Sequence, residues 1–288
     1  MPKIAFIGTG LLGSGMTEAA AKRGNDVTAW NRTPAKVRAL EEFGVSAAPT
    51  PADAVRGAER VHLILKDDEV VDELIAALRP GLAPNATIID HTTTRPDLTL
   101  ARSTRLNSEG VRYLHCPVFM GPAAARANQG IVMASGPQHI YDDVKAELGR
   151  MGSRVEYLGE RPDLAAVYKL CGNAFIIGIA ALVADVFAVA GGNGIAPNDA
   201  LRMLDFFNPS TIIAGRGKNM AAGNYAPSFE LTMARKDLRL MIEAAGATEM
   251  ISLPAIAARM DSLIAQGHGA DDLGVIGKDA ATSYTRRS

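Results

Sequence analysis

The stretch Ile4-Ala5-Phe6-Ile7-Gly8-Thr9-Gly10-Leu11-Leu12-Gly13 decides the fold. Four apolar residues run into three glycines spaced as G-x-G-x-x-G, and Leu11 to Lys22 then turns rich in small residues, as in a helix packed closely on a sheet. Gly24-Asn25-Asp26 ends that helix, and Val27-Thr28-Ala29-Trp30 supplies the next strand. A glycine pattern after a strand and opening a helix is the dinucleotide-binding fingerprint in its required context. The first glycine permits the tight turn, the second admits the pyrophosphate to the backbone, and the third lets helix and strand approach. A pyrophosphate placed there meets free N–H groups and the positive end of the helix dipole. Gly8, Gly10, Leu11, Leu12 and Gly13 are therefore cofactor-binding candidates.

Outward from this stretch the alternation continues. Ala35 to Phe43 reads as a helix, Val61 to Leu65 as a strand and Val70 to Leu78 as a helix. Thr87-Ile88-Ile89 is a strand, followed by a helix near Asp97 to Ser108. Short apolar strands alternating with helices imply a parallel sheet covered on both faces, an α/β doubly wound Rossmann domain. Near Pro162 the character changes. Leu164 to Gly191 is a long apolar pattern without β-branched clustering, and Pro197–Phe207, Phe229–Ala245 and Ser252–Gln266 are helical in period. The expectation is a nucleotide-binding domain over 1–160, then a long interdomain helix leading an all-α domain for substrate and dimerisation over 161–288.

Composition narrows the class. The chain has 288 residues, about two domains' worth, and 48% are hydrophobic, enough for a sizeable core. Thirty basic against 31 acidic side chains leave a formal charge of −1, which argues against a nucleic-acid surface or a polybasic membrane arm. The N-terminus runs straight into a strand, unlike a signal peptide. The longest apolar stretch, Ala174 to Ala184, is stopped by Asp185 and is too short for a bilayer. Cys116 and Cys171 form neither metal-ligand spacing nor a disulfide framework, and no metal is expected. A cytoplasmic protein with a small-molecule substrate is the expectation.

The second strand ends in Trp30-Asn31-Arg32-Thr33. An NAD enzyme places an acidic residue there for the ribose hydroxyls, but here Asn31 is neutral and Arg32 follows. A guanidinium and a hydroxyl suit a 2′-phosphate, so NADP (NADPH) is the expected cofactor, with Asn31, Arg32 and Thr33 contacting it. Thr33 before Pro34 also reads as a helix N-cap, and the two roles are compatible.

Three further segments matter jointly: Asp90-His91-Thr92-Thr93-Thr94-Arg95-Pro96, Pro117-Val118-Phe119-Met120-Gly121-Pro122 and Lys169-Leu170-Cys171-Gly172-Asn173. With Asn31-Arg32-Thr33 and Phe229–Leu240, their order resembles the β-hydroxyacid dehydrogenase family, which includes 3-hydroxyisobutyrate dehydrogenases and glyoxylate or succinic semialdehyde reductases. The resemblance spans essentially the whole chain. It implies that Lys169 on the long helix is the general acid and base, with Asn173 four residues on, along the same helix face, orienting substrate. As hydride reaches a carbonyl carbon, charge builds on oxygen and demands a proton donor. The resemblance further implies Thr92, in place of the family's serine, at the substrate. It puts Leu65, Lys66, Thr93 and Lys236 on the cofactor side, and it implies a homodimer or homotetramer. The apolar neighbours of Lys169, Tyr168 and Leu170, argue against a surface lysine. Asp185, where the family has glutamate, reads as structural.

One departure stands out. After Pro-Val the family shows Ser-Gly-Gly, whereas this chain has Phe119-Met120-Gly121. A hydroxyl donor is replaced by an apolar, soft wall. Phe119, Met120 and Gly121 are thus substrate-side candidates, and small hydroxy acids become doubtful substrates. Imine reductases, similarly apolar at this turn and echoed by Tyr157-Leu158-Gly159 and Leu164–Tyr168, provide the alternative, although they generally replace the lysine. A non-catalytic NADP-binding interaction or sensor protein is the other alternative. The leading expectation is hydride transfer between NADPH and an aldehyde or keto substrate.

Overall fold

The structure is a computed structural model, and it describes residues 1–282. Strand β1 (Lys3–Ile7) is followed by α1 (Leu11–Lys22), β2 (Asp26–Trp30), α2 (Ala35–Arg38), β3 (Ser46–Ala47) and α3 (Pro51–Val55). The alternation continues with β4 (Arg60–Leu63), α4 (Asp68–Leu78), β5 (Thr87–Asp90), α5 (Pro96–Ser108) and β6 (Arg112–His115). These strands form one six-stranded sheet in the order β3-β2-β1-β4-β5-β6, and every pairing in it is parallel. The chain thus reverses its winding between β1 and β4, and that switch point is where open α/β sheets bind ligands. Along β1, Ile4 and Phe6 enter one buried cluster, while Ala5 and Ile7 enter the other. Both faces are covered, which is why the strand reads as an unbroken apolar run.

A second, three-stranded sheet follows, and its strands were not expected from sequence. β7 (Val118–Phe119), α6 (Pro122–Arg126), β8 (Ile131–Ala134), α7 (Gln138–Leu148) and β9 (Arg154–Tyr157) form it and its connections. β7 runs antiparallel to β8, and β8 is parallel to β9. β7 is only two residues long, too short for any periodicity to show. The helix expected over Ala35–Phe43 is also divided, since α2 stops at Arg38 and a 3-10 turn covers Glu41–Phe43. The N-cap of α2 is Pro34 with no side-chain bond, so Thr33 does not cap it.

From Leu164 to Gly192 runs α8, 29 residues long. Beyond it lie α9 (Pro197–Leu201), α10 (Pro209–Ala221), α11 (Leu231–Ala245), α12 (Leu253–Leu263) and α13 (Lys278–Thr282). The chain divides into two compact units, Met1–Asn173 and Ala174–Ser288, so the division falls within α8 rather than at residue 160. The first turns of α8 belong to the first unit because they pack on its strands. Asp185 does not stop the helix, and the apolar stretch is longer than the 174–184 run: α8 is long and apolar enough to cross a membrane, by length and composition only. Its carboxylate accepts the backbone N–H groups of Ile251 (2.6 Å), Ser252 (2.9 Å) and Leu253 (2.9 Å), and also the Ser252 hydroxyl. A buried charge so bonded satisfies the free amides at the start of α12, a structural role in the second unit.

Candidate functional site

The glycine turn lies between β1 and α1, against the chain that leaves β4. Gly8 has φ of +99°, and a Cβ there would stand 2.3 Å from the Ile64 carbonyl oxygen. A Cβ on Gly13 would stand 2.0 Å from the Gly8 oxygen, so β-strand and helix meet at backbone contact. At Gly10 a Cβ would meet nothing within 4 Å. The open face is therefore at the middle glycine, where a ligand backbone approach is needed, and the closed contacts are at the other two. Asn31 fastens this turn, for its Oδ1 accepts the Thr9 N–H at 3.1 Å and its amide donates to the Thr33 carbonyl at 3.1 Å. The Thr9 hydroxyl is buried without a protein partner.

A cavity opens over the turn at the carboxyl ends of β1, β2, β4 and β5. Its lining brings together Gly8, Gly10, Leu11, Leu12, Gly13, Asn31, Arg32, Thr33, Leu65, Lys66, Thr92 and Thr93. Eleven of these were cofactor candidates, and Thr92 was placed with substrate. Sequence reasoning missed Trp30, Lys36, Ile64, Val70, Leu74 and His91, which also line it. Lys36 carried a readable signal, a cation one helical turn beyond Arg32. Arg32 is exposed, and its guanidinium lies 3.2 Å from the Glu73 carboxylate. Asn31 has both ends of its amide engaged within the turn.

Thr92 is buried, and its hydroxyl oxygen accepts the Leu65 N–H at 3.1 Å. Its own N–H donates to Asp90 at 2.9 Å. Its hydroxyl also hydrogen-bonds the Asp90 carboxylate, so the side chain is tied to both neighbouring strand ends. Beneath it sit three buried histidines. His91 Nδ1 is 2.7 Å from the Cys116 carbonyl, which only accepts, so Nδ1 carries the proton. His91 Nε2 then accepts from His62 Nδ1 at 2.9 Å, and His62 stacks on Phe6 with ring centroids 4.7 Å apart. Burial holds His62 well below the usual histidine range and lowers His91 to about 4. Burial also lowers His115 to about 3, with the Arg102 guanidinium adding to the effect. Three neutral imidazoles thus support the strand ends under the cavity.

The second group of candidates lies on the first turns of α8 and on β7. Lys169 Nζ donates to the Val118 carbonyl at 2.8 Å and stands 4.1 Å from the centre of the Phe119 ring. Half-burial lowers its pKa. The half-burial does not come from the flanking residues, as Tyr168 and Leu170 are both exposed. It comes from β7, which the sequence did not reveal. Gly121 is exposed and precedes α6, and Met120 is partly buried beside Phe119. Asn173 is partly exposed at the end of the first unit. Lys236 belongs to the second unit, on α11, where it pairs with Asp237.

The family model for the NAD binding domain of 6-phosphogluconate dehydrogenase matches residues 3–159. The cytokine-like nuclear factor N-PAC of Xenopus tropicalis is 28% identical over 244 residues, 83% of this chain and 46% of that protein. The chain therefore spans less than half the length of that relative. Glyoxylate/succinic semialdehyde reductase 1 of Arabidopsis thaliana is 25% identical over 291 residues, 99% of both chains. Among solved structures, the imine reductase from Myxococcus stipitatus in complex with NADP+ superposes with a TM-score of 0.85 at 20% identity, covering 96% of this chain and 99% of that one. That likeness carries the fold. With the glycine turn, the 3-2-1-4-5-6 sheet and the family match in register, the chain belongs to the NAD-binding family of 6-phosphogluconate dehydrogenase, which fits its resemblance to the β-hydroxyacid dehydrogenases.

Proposed function

We propose that this chain is an NADP-dependent oxidoreductase that reduces a carbonyl substrate, with Lys169 as general acid and base. The observation that carries the reading is the Lys169 ammonium, half-buried on the Val118 carbonyl with its pKa lowered. When bound, NADPH supplies the hydride. Gly8, Gly10 and Gly13 hold the pyrophosphate against the start of α1, and the unpartnered Thr9 hydroxyl lies at the same turn. Lys169 Nζ gives its proton to the substrate oxygen as charge develops there, and water reprotonates the amine afterwards. Asn173 orients the substrate, Thr92 contacts its polar end from the cavity wall, and Gly121 admits that end to the backbone. Leu65, Lys66 and Thr93 line the nicotinamide side. Phe119 and Met120 present apolar surface and favour substrates with apolar bulk, which also keeps imine reduction as a second reading. Steady-state NADPH oxidation with short aldehyde acids, bulky ketones and cyclic imines tests this. Bulky ketones are expected to turn over best, and efficient reduction of glyoxylate would overturn the reading of the Phe119-Met120 wall.

Arg32, Thr33 and Lys36 are the 2′-phosphate contacts in this proposal. Because Glu73 competes for Arg32, the guanidinium contributes at the low end for a charge-assisted bond, about 1.5 kcal/mol or roughly tenfold in kcat/KM. Arg32→Ala is expected to lose that factor with NADPH and little with NADH, while Glu73→Gln strengthens NADPH. Equal losses with both cofactors would assign Arg32 a structural role.

We also propose a cytoplasmic homodimer. Phe175, Ile176 and Ile177 on α8 are exposed in the single chain, an apolar face of the kind that subunits cover. Light scattering of protein purified without detergent is expected to report the mass of two chains. A monomer, or recovery only with membranes, would refute this.

A further inference from the structure

We propose that Phe119 is a positioning residue for the Lys169 ammonium, its ring acting as a cationic seat beneath the proton donor. The proposal rests on the reading of Lys169 given above. It starts from three contacts within the first unit. The ammonium lies 4.1 Å from the ring centre, and its hydrogen bond to Val118, the residue before, fixes it over β7. The third contact explains how the ring comes to be there. A Cβ on Gly172 would stand 2.2 Å from Phe119 Cζ, 2.8 Å from Cε1 and 3.0 Å from Cε2. Gly172 is thus a notch in α8, three residues beyond Lys169, that admits the edge of the ring against the helix backbone. Any larger residue would push the ring away from the ammonium.

The chemistry follows from the ring's quadrupole. Its negative face attracts a cation and gives a neutral amine little, so it stabilises the protonated form. Burial acts the other way and disfavours the charge. Burial is the one cause of the lowered pKa: the nearest titratable side chains along α8 are Tyr168 and Cys171, and β7 with its following residue brings Val118, Phe119 and Met120, none of which ionises. The ring and the Val118 carbonyl are therefore the elements that keep a half-buried amine protonated and in one place. This gives the Phe119 position a task other than contacting substrate, and it couples that position to Gly172.

The test replaces Phe119 in the full chain with 3,4,5-trifluorophenylalanine, which keeps the ring's shape and removes most of its negative face. The Lys169 titration is read from the side-chain carbon resonance of 13C-lysine-labelled protein, assigned by its loss in Lys169→Arg. The basic limb of kcat/KM for carbonyl reduction is read in parallel. A fall of about 0.5–1.5 pH units in the Lys169 midpoint is expected, with NADPH affinity unchanged. A midpoint that stays in place overturns the proposal. A midpoint that falls while the kinetic limb stays put upholds the seat and instead overturns Lys169 as the proton donor.

Discussion

Replacing Lys169 with alanine is expected to lower carbonyl turnover by about 10²–10⁴-fold, the range general acid catalysis supplies. The loss should appear in kcat, because the proton is needed as charge forms on oxygen and not on binding. The glycine turn and its cavity are built from other residues, so the NADPH dissociation constant should change little. An imine can arrive already protonated, and for such substrates the loss should be smaller. Stopped-flow and equilibrium titration on the folded variant check both constants. Carbonyl turnover that persists at the parent rate would exclude Lys169 as the donor.

The second large effect is a loss of stability in mild acid. His62, His91 and His115 are fully buried, and all three have their pKa lowered chiefly by burial. The sign follows from proton counting. Below the unfolded value of 6.5 the unfolded chain binds protons that the folded chain refuses. Stability is therefore full above about pH 6.5 and falls as pH drops toward the folded values near 4 for His91 and 3 for His115. His91 alone accounts for on the order of 3 kcal/mol across that span. Asp90 acts in the opposite direction, since burial raises its pKa. Urea midpoints between pH 7.5 and 4.5 are expected to fall steadily below 6.5, and a His62→Gln, His91→Gln pair should flatten the slope. A midpoint unchanged down to pH 4.5 would show that water reaches these rings.

How much of this was legible in the chain differs by element. The Rossmann half was legible because its information is local: apolar strands of four or five residues, glycines at fixed spacing, and a helix opening directly after them. The same holds for α8, whose apolar run announces a helix whatever surrounds it. Most of the lining of the cavity was legible too, since Gly8 to Gly13 and Asn31 to Thr33 sit at the ends of adjacent parallel strands, and that adjacency follows from the topology. What Asn31 does there was not legible. Its neutral side chain suggested room for a 2′-phosphate, and in the fold both ends of the amide hold the turn.

Tertiary structure alone decided the environment of Lys169. Tyr168 and Leu170 suggested burial by neighbours in sequence, yet both are exposed, and the burial comes from Val118 and Phe119 some fifty residues earlier. β7 is too short to carry a periodic signal, and a cation over a ring is a long-range contact that no local pattern encodes. The histidines were hidden for the same reason. His62, His91 and His115 are isolated in sequence, and only the side-by-side register of β4, β5 and β6 stacks His62 on His91 and brings His115 beside Asp90. Residue type and spacing determine which elements form and which atoms are chemically able. The desolvation and partners that set each group's proton affinity arise only when distant strands close around it.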